Sequence, residues 1–366
     1  MRILPSLLLA LAFLAALPTD ATAAEEPAAT PAIHLGTVAA VIPGPITAPD
    51  RDAGSGFLLA VADGQAFVLD LLGRRMLVRP LQGEAPVATS PLPKDFLTAA
   101  TAPDGHVVAL FRKGLQTWPS WPAFAHACAD PVAGPANRVP LAGPALADEP
   151  RRYRLKAAPD GTFLLRDAQT DTLHVLAADG RELGAPPCGS DFLPTGQGTF
   201  LMTTGSPDQG LKIQEFPTTP PAPGQDQPQT EMTGWNEALN LDTAEATLLA
   251  LDPAAPAAWI ALAPPVPEVP VVSDPQEATA TAAVEDAPSG VSITPTLFRH
   301  PTDPTQECLV VARLEPKGPL TPVARFPVGE ADGKLCLTTQ GLWFLTLEFG
   351  AEDRIDRLVI HHAPAK

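Results

Sequence analysis

The sequence predicts an all-β fold, a β-propeller, from three observations. Tyr153 to Gly184 (YRLKAAPDGTFLLRDAQTDTLHVLAADGRELG) sets short apolar runs between Pro159-Asp160-Gly161, Thr170-Asp171-Thr172 and Asp179-Gly180. Asp-Gly between strand-forming runs marks a reversal, because glycine accepts the positive φ that tight turns demand. Echoes of this unit recur, with Asp-Gly pairs beginning at 63, 104 and 160, spaced 41 and 56 residues apart. Propeller blades repeat at about 40–50 residues, and outer loops stretch that interval. Helical periodicity is nearly absent; its one short candidate is Gly234 to Ala246, around Trp235 and Leu239.

Seven strand-rich packets follow in order. They span Phe57 to Arg79, Phe96 to Trp118, Tyr153 to Gly184, Phe192 to Phe216, Ala246 to Ala263, Glu307 to Phe326 and Lys334 to Ile360. Each alone buries only one face, so stacking around an axis is how the apolar strands leave water. Seven blades is the first expectation and six the runner-up. Forty-five prolines and 27 glycines, roughly 20% of the chain, stay below the ~25–30% of full disorder. With 45% hydrophobic residues and only 5% aromatic, the core must be built mainly from Leu, Val and Ala.

The N-terminal residues read as an export signal over 1–23. Arg2 gives a positive start, Leu4 to Leu17 is largely apolar, and Ala21-Thr22-Ala23 has the small-x-small form of a cleavage site. A disordered leader over 24–32 and a single propeller domain over 33–366 are expected to follow. Two Pro-rich insertions, 217–231 and 264–290, cannot bury enough apolar area to offset their backbone entropy. A domain boundary at 264–290 is the rival reading there. No later stretch is a membrane span, so the expected location is periplasmic or secreted. The net charge of −17 argues against nucleic acid or an anionic membrane surface as partner.

The order of Pro-Asp-Gly turn, strand ending in Asp167, and strand leading to Asp179-Gly180 resembles an NHL-type propeller repeat. Thr170-Asp171-Thr172 stands where that repeat carries an Asn-His-Arg-like run. The resemblance covers 153–184 well and 57–79 and 96–118 loosely. It implies a scaffold shared by binding modules and some lyases, and no particular activity.

Four cysteines, Cys128, Cys188, Cys308 and Cys336, suit an oxidising compartment. Of the three possible pairings, Cys128–Cys188 and Cys308–Cys336 are favoured, since each joins neighbouring repeats. His126-Ala127-Cys128 is the best metal-binding fragment, but no second spaced pair accompanies it. Searches for a nucleophile elbow, a phosphate loop, a dinucleotide fingerprint and a calcium loop all fail. Glu352-Asp353 with Asp356 offers too few oxygens for calcium. His361 and His362 are adjacent on a strand and so point to opposite faces, which argues against joint chelation. Trp118, Trp121 and Trp259 read as packing between blades.

A polar site remains to be found, and His106, Arg166, Asp167 and His174 are the candidates, because residues near such turns and strands can face a central channel. No cofactor or metal is expected. The leading functional expectation is an exported, non-catalytic binding or scaffold module for a protein or small ligand. The alternative is a propeller-type hydrolase or lyase with its site at the channel mouth.

Overall fold

Strands apolar at successive positions, such as Phe57–Ala62 and Val107–Phe111, must be covered on both faces, and stacked sheets provide that cover. The computed structural model describes residues 33–46, 56–83, 85–130, 138–142, 146–186, 191–196, 198–206, 210–218, 238–239, 246–252, 257–264, 295–316, 318, 320–350 and 354–365. The expected signal and leader, most of both Pro-rich insertions, Cys188 and Glu352-Asp353 lie outside these residues. So does the candidate helix at 234–246, except for a strand at Ala238–Leu239 and Ala246, which opens another strand.

Six sheets form the ring, each an antiparallel meander running outward from the axis. Blade 1 comprises Phe57–Ala62, Gln65–Asp70, Arg75–Pro80 and Ala88–Pro91. Blade 2 comprises Phe96–Thr101, Val107–Phe111, Gly114–Trp118 and Val139–Pro140. Blade 3 comprises Tyr153–Ala157, Phe163–Asp167, Thr172–Leu176 and Glu182–Gly184. Blade 4 comprises Asp191–Pro194, Thr199–Ser206, Gly210–Pro217 and Ala238–Leu239. Blade 5 comprises Ala246–Leu251, Ala258–Leu262, Cys308–Leu314 and Leu320–Pro327, with His34–Leu35 added in parallel at its rim. Blade 6 takes Leu335–Thr338, Gly341–Phe349 and Ile355–Ala363 from the C-terminal part of the chain, and its outer strand Thr37–Ile46 from the N-terminal part.

Six blades replace the seven first expected. The packets at 246–263 and 307–326 are two halves of one sheet, with Ala261 opposite Val311 in its ladder. The long stretch between the halves made one blade look like two.

The buried apolar side chains of the described residues fall into six clusters, one at each junction between neighbouring blades. Strand alternation sorts them. In blade 4, Leu193 and Leu201 face blade 5 while Phe192, Phe200 and Met202 face blade 3. Trp259 packs at the junction of blades 5 and 6, and Trp121 at that of blades 1 and 2, with Trp118 against the same cluster.

The same alternation overturns the favoured Cys308–Cys336 disulfide; both are free thiols. Leu335 and Leu337 turn toward blade 5, so Cys336 between them turns toward blade 1 and packs in that junction. Neighbouring blades are not enough when the side chain leaves the shared face. Cys128 is also a free thiol, and its proposed partner Cys188 is not among the described residues. Burial pushes the thiols of Cys128 and Cys336 up to about 12 and raises that of Cys308.

One helix, α1 (Trp121–Ala129), went unpredicted. Ser120 caps it, its hydroxyl accepting the Ala123 N–H at 3.3 Å, and Pro122 sits in its first turn. Trp121, Phe124 and Cys128 form its buried face, while His126 is exposed on another. The His126–Cys128 fragment is therefore split between solvent and an apolar junction.

Candidate functional site

Each blade begins with its innermost strand. The chain reaches every inner strand at one end of the ring, the near end, where the turns between second and third strands also lie. Turns between first and second strands lie at the far end.

Blade 3 carries two cations on its inner strand, where the run Tyr-Arg-Leu-Lys-Ala alternates apolar and charged residues. Tyr153, Leu155 and Ala157 fill the junction with blade 2, which leaves Arg154 and Lys156 on the other face. The Arg154 Nε pairs with Asp332 Oδ2, from the connection into blade 6. With six blades in chain order, blades 3 and 6 stand opposite, so this pair crosses the axis. The Lys156 ammonium meets Asp191 Oδ1 of blade 4 at 3.0 Å and donates to the carbonyls of Phe192 at 2.6 Å and Leu248 at 2.8 Å. Asp191 also accepts the Leu248 N–H at 2.6 Å, and its own N–H donates to Thr203 Oγ1 at 2.7 Å. Burial pushes the Asp191 carboxyl up; Lys156 opposes the rise and the nearby Asp332 charge adds to it. Two ion pairs and a backbone carbonyl thus tie blades 3, 4, 5 and 6 together at the axis.

At the far end, a cleft of about 510 Å³ opens between blades 2 and 3. Val108, Thr117 and Phe163 form part of its wall, and the turns Ala102–His106 and Ala158–Gly161 form its rim. These turns share one design. The Asp104 Oδ1 accepts the His106 N–H at 3.1 Å, and the Asp160 Oδ1 accepts the Thr162 N–H at 2.9 Å. Gly105 and Gly161 follow at φ of 86° and 81°, the left-handed conformation that glycine adopts without strain. His106 differs from Thr162 in bringing an imidazole, whose Nδ1 stands 2.8 Å from Asp104 Oδ2. The Asp104 carboxyl lies below its ordinary range, chiefly through the His106 N–H, with the imidazole adding to the effect.

The other three sequence candidates sit on the second and third strands of blade 3, each with a local partner. Asp167 is buried and takes both Nε and Nη2 of Arg152 at 2.6 Å. Its burial raises the carboxyl, but Arg152 and the Gln169 and Thr170 N–H groups outweigh this and hold it low. Arg166 meets Asp171 at 2.9 Å, and the His174 Nδ1 meets Glu182 Oε1 at 2.6 Å. The fold places only His106 of the four in the cleft and does not gather them into one constellation. The axial residues Arg154, Lys156, Asp191 and Asp332 are the set that sequence reasoning missed. Paired charges two apart in an otherwise apolar inner strand were their signal.

His361 and His362 diverge as strand alternation requires. His361 lies 2.8 Å from Thr346 Oγ1, while His362 packs against Trp343 with ring centroids 4.2 Å apart and the planes tilted by 35°.

No protein-family model matches the chain, and no curated protein matches it. Among solved structures, it is similar to the calcium-binding protein regucalcin from Agrobacterium tumefaciens, at 14% identity over 92% of this chain and 96% of that one, with a TM-score of 0.42. A catalytically inactive virginiamycin B lyase from Staphylococcus aureus, with quinupristin, matches at 11% identity over 88% and 99%, with a TM-score of 0.37. A luciferin-regenerating enzyme matches at 10% identity over 85% and 91%, with a TM-score of 0.39. At identities this low, none of them assigns chemistry to this chain.

Proposed function

We propose that the chain is an exported, non-catalytic binding or scaffold module that holds a small ligand or a projecting protein side chain in the cleft between blades 2 and 3. The observation that carries this reading is the contrast between axis and cleft. Arg154, Lys156, Asp191 and Asp332 are engaged with one another, whereas the cleft has the volume and mixed lining of a ligand pocket. Export rests on the charged start, apolar run and small-x-small site of residues 1–23.

A thermal-shift screen of small apolar and amphipathic compounds tests the cleft. Thr117 is exposed on its wall, so Thr117→Trp fills the space without disturbing the core. Hits on the wild-type chain should vanish in this variant; hits that persist unchanged would place binding elsewhere. The His106–Asp104 contact favours a second reading, a hydrolase or lyase using His106 as a base. That reading predicts turnover of some ester, amide or glycoside, lost in His106→Ala. The binding reading predicts none.

A further inference from the structure

We propose that the near-end face of blades 1–3 is a docking surface for an acidic segment of another protein. The proposal does not depend on the far-end cleft.

The net charge of −17 conceals a segregation. The near-end turns and connections of these blades carry Arg74, Lys94, Arg112, Lys113, Arg151 and Arg152 against Asp95, Asp148, Glu149 and Asp171, with Arg138 paired to Asp95. Their far-end turns carry Asp63, Asp104, Asp160 and Asp179 against Arg181. Two near-end pairs leave the positive partner outermost, whereas in Arg74–Asp148 and Arg138–Asp95 the carboxylate is the more exposed. The Asp70 side chain is 2% exposed against 31% for Arg75, and that of Asp167 is 9% exposed against 17% for Arg152. Arg74 from blade 1 and Arg112 from blade 2 share one carboxylate, that of Asp148, at 2.8 and 4.0 Å. Lys94 and Lys113 are exposed, and among the described residues neither has a carboxylate within ion-pair distance. Arg151 adds a buried Nε with no hydrogen-bond partner among these residues.

Asp148, hydrogen-bonded by Arg74 and standing 4.0 Å from Arg112, shows the chemistry this face accepts, a single carboxylate between cations of two blades. A short acidic segment offers such groups at modest charge density. Nucleic acids and sulfated polysaccharides meet the opposing field of a chain of charge −17, which a short segment within a Debye length of the face largely escapes.

The experiment uses the full chain, a fluorescein-labelled Glu-rich peptide and, separately, heparin, read by anisotropy at about 20 and about 200 mM salt. The peptide should bind at low salt and weaken at high salt. Combined Lys94→Glu, Arg112→Glu and Lys113→Glu should lower its affinity roughly tenfold or more. Arg181→Glu, on an exposed far-end turn, should leave binding unchanged. All of these side chains are exposed, so thermal melts should coincide with that of the parent. Absence of peptide binding at low salt, or equal loss in the far-end variant, would overturn the proposal. Heparin binding that exceeds peptide binding and disappears in the triple variant would overturn the choice of an acidic protein partner.

Discussion

Arg154 is the residue on which the axis turns. It leaves blade 3 on an apolar strand and ends on Asp332, across the ring, with its side chain 18% exposed. A pair this sheltered lies between the surface case, worth under about 1 kcal/mol, and the buried case, where loss of one partner costs about 3–5 kcal/mol. Arg154→Met should therefore destabilise by about 1–2 kcal/mol in urea unfolding. Adding Asp332→Leu should recover part of the loss, because the stranded carboxylate is then removed; a purely additive double variant would show that the two do not interact. His361 makes a different prediction. Burial lowers its imidazole below the ordinary value, and Glu348 only partly offsets this. The unfolded chain thus takes up the proton first, so stability is full above about pH 6.5 and falls as pH drops below it. His361→Gln should flatten the fall of unfolding free energy between about pH 6.5 and 5, relative to the parent.

At the level of elements, the strand Thr37–Ile46 has the largest consequence. It pairs along Ile355–Ala363, and Ala40, Ile42 and Ile46 enter the core between blades 6 and 1. A chain beginning after Ile46 should lose its cooperative thermal transition and bind a hydrophobic dye, through exposure of Leu358 and Ile360. A sharp transition at the parental temperature would refute this role. The contrast with the sequence is instructive here. Aliphatic runs and Asp-Gly turns made blades 1–3 legible, because both are local signals. Blade 5 was not, since its halves are joined by a ladder whose partners lie far apart in sequence. Helix α1 was hidden by its length, nine residues with three buried, too few turns for a clear period. The pairing of Cys308 with Cys336 failed on facing, which depends on the register of Leu335–Thr338. In the candidate site, His106 was legible from its turn, but the partners of Arg154 and Lys156 belong to other blades and no local pattern marks them.

Across the whole molecule, stability is distributed over six apolar junctions and a charged hub, and no single blade has a core of its own. Among the described residues, the near-end turns and connections of blades 1–3 carry an excess of cations and their far-end turns an excess of carboxylates, so the two ends present unlike surfaces. Ring closure also fixes an order of events. Thr37–Ile46 leaves the ribosome early, yet its seat does not exist until Ile355–Ala363 has been made. Until then the growing polypeptide holds a greasy ribbon with nowhere to lie, and any product cut short before that point keeps it bare.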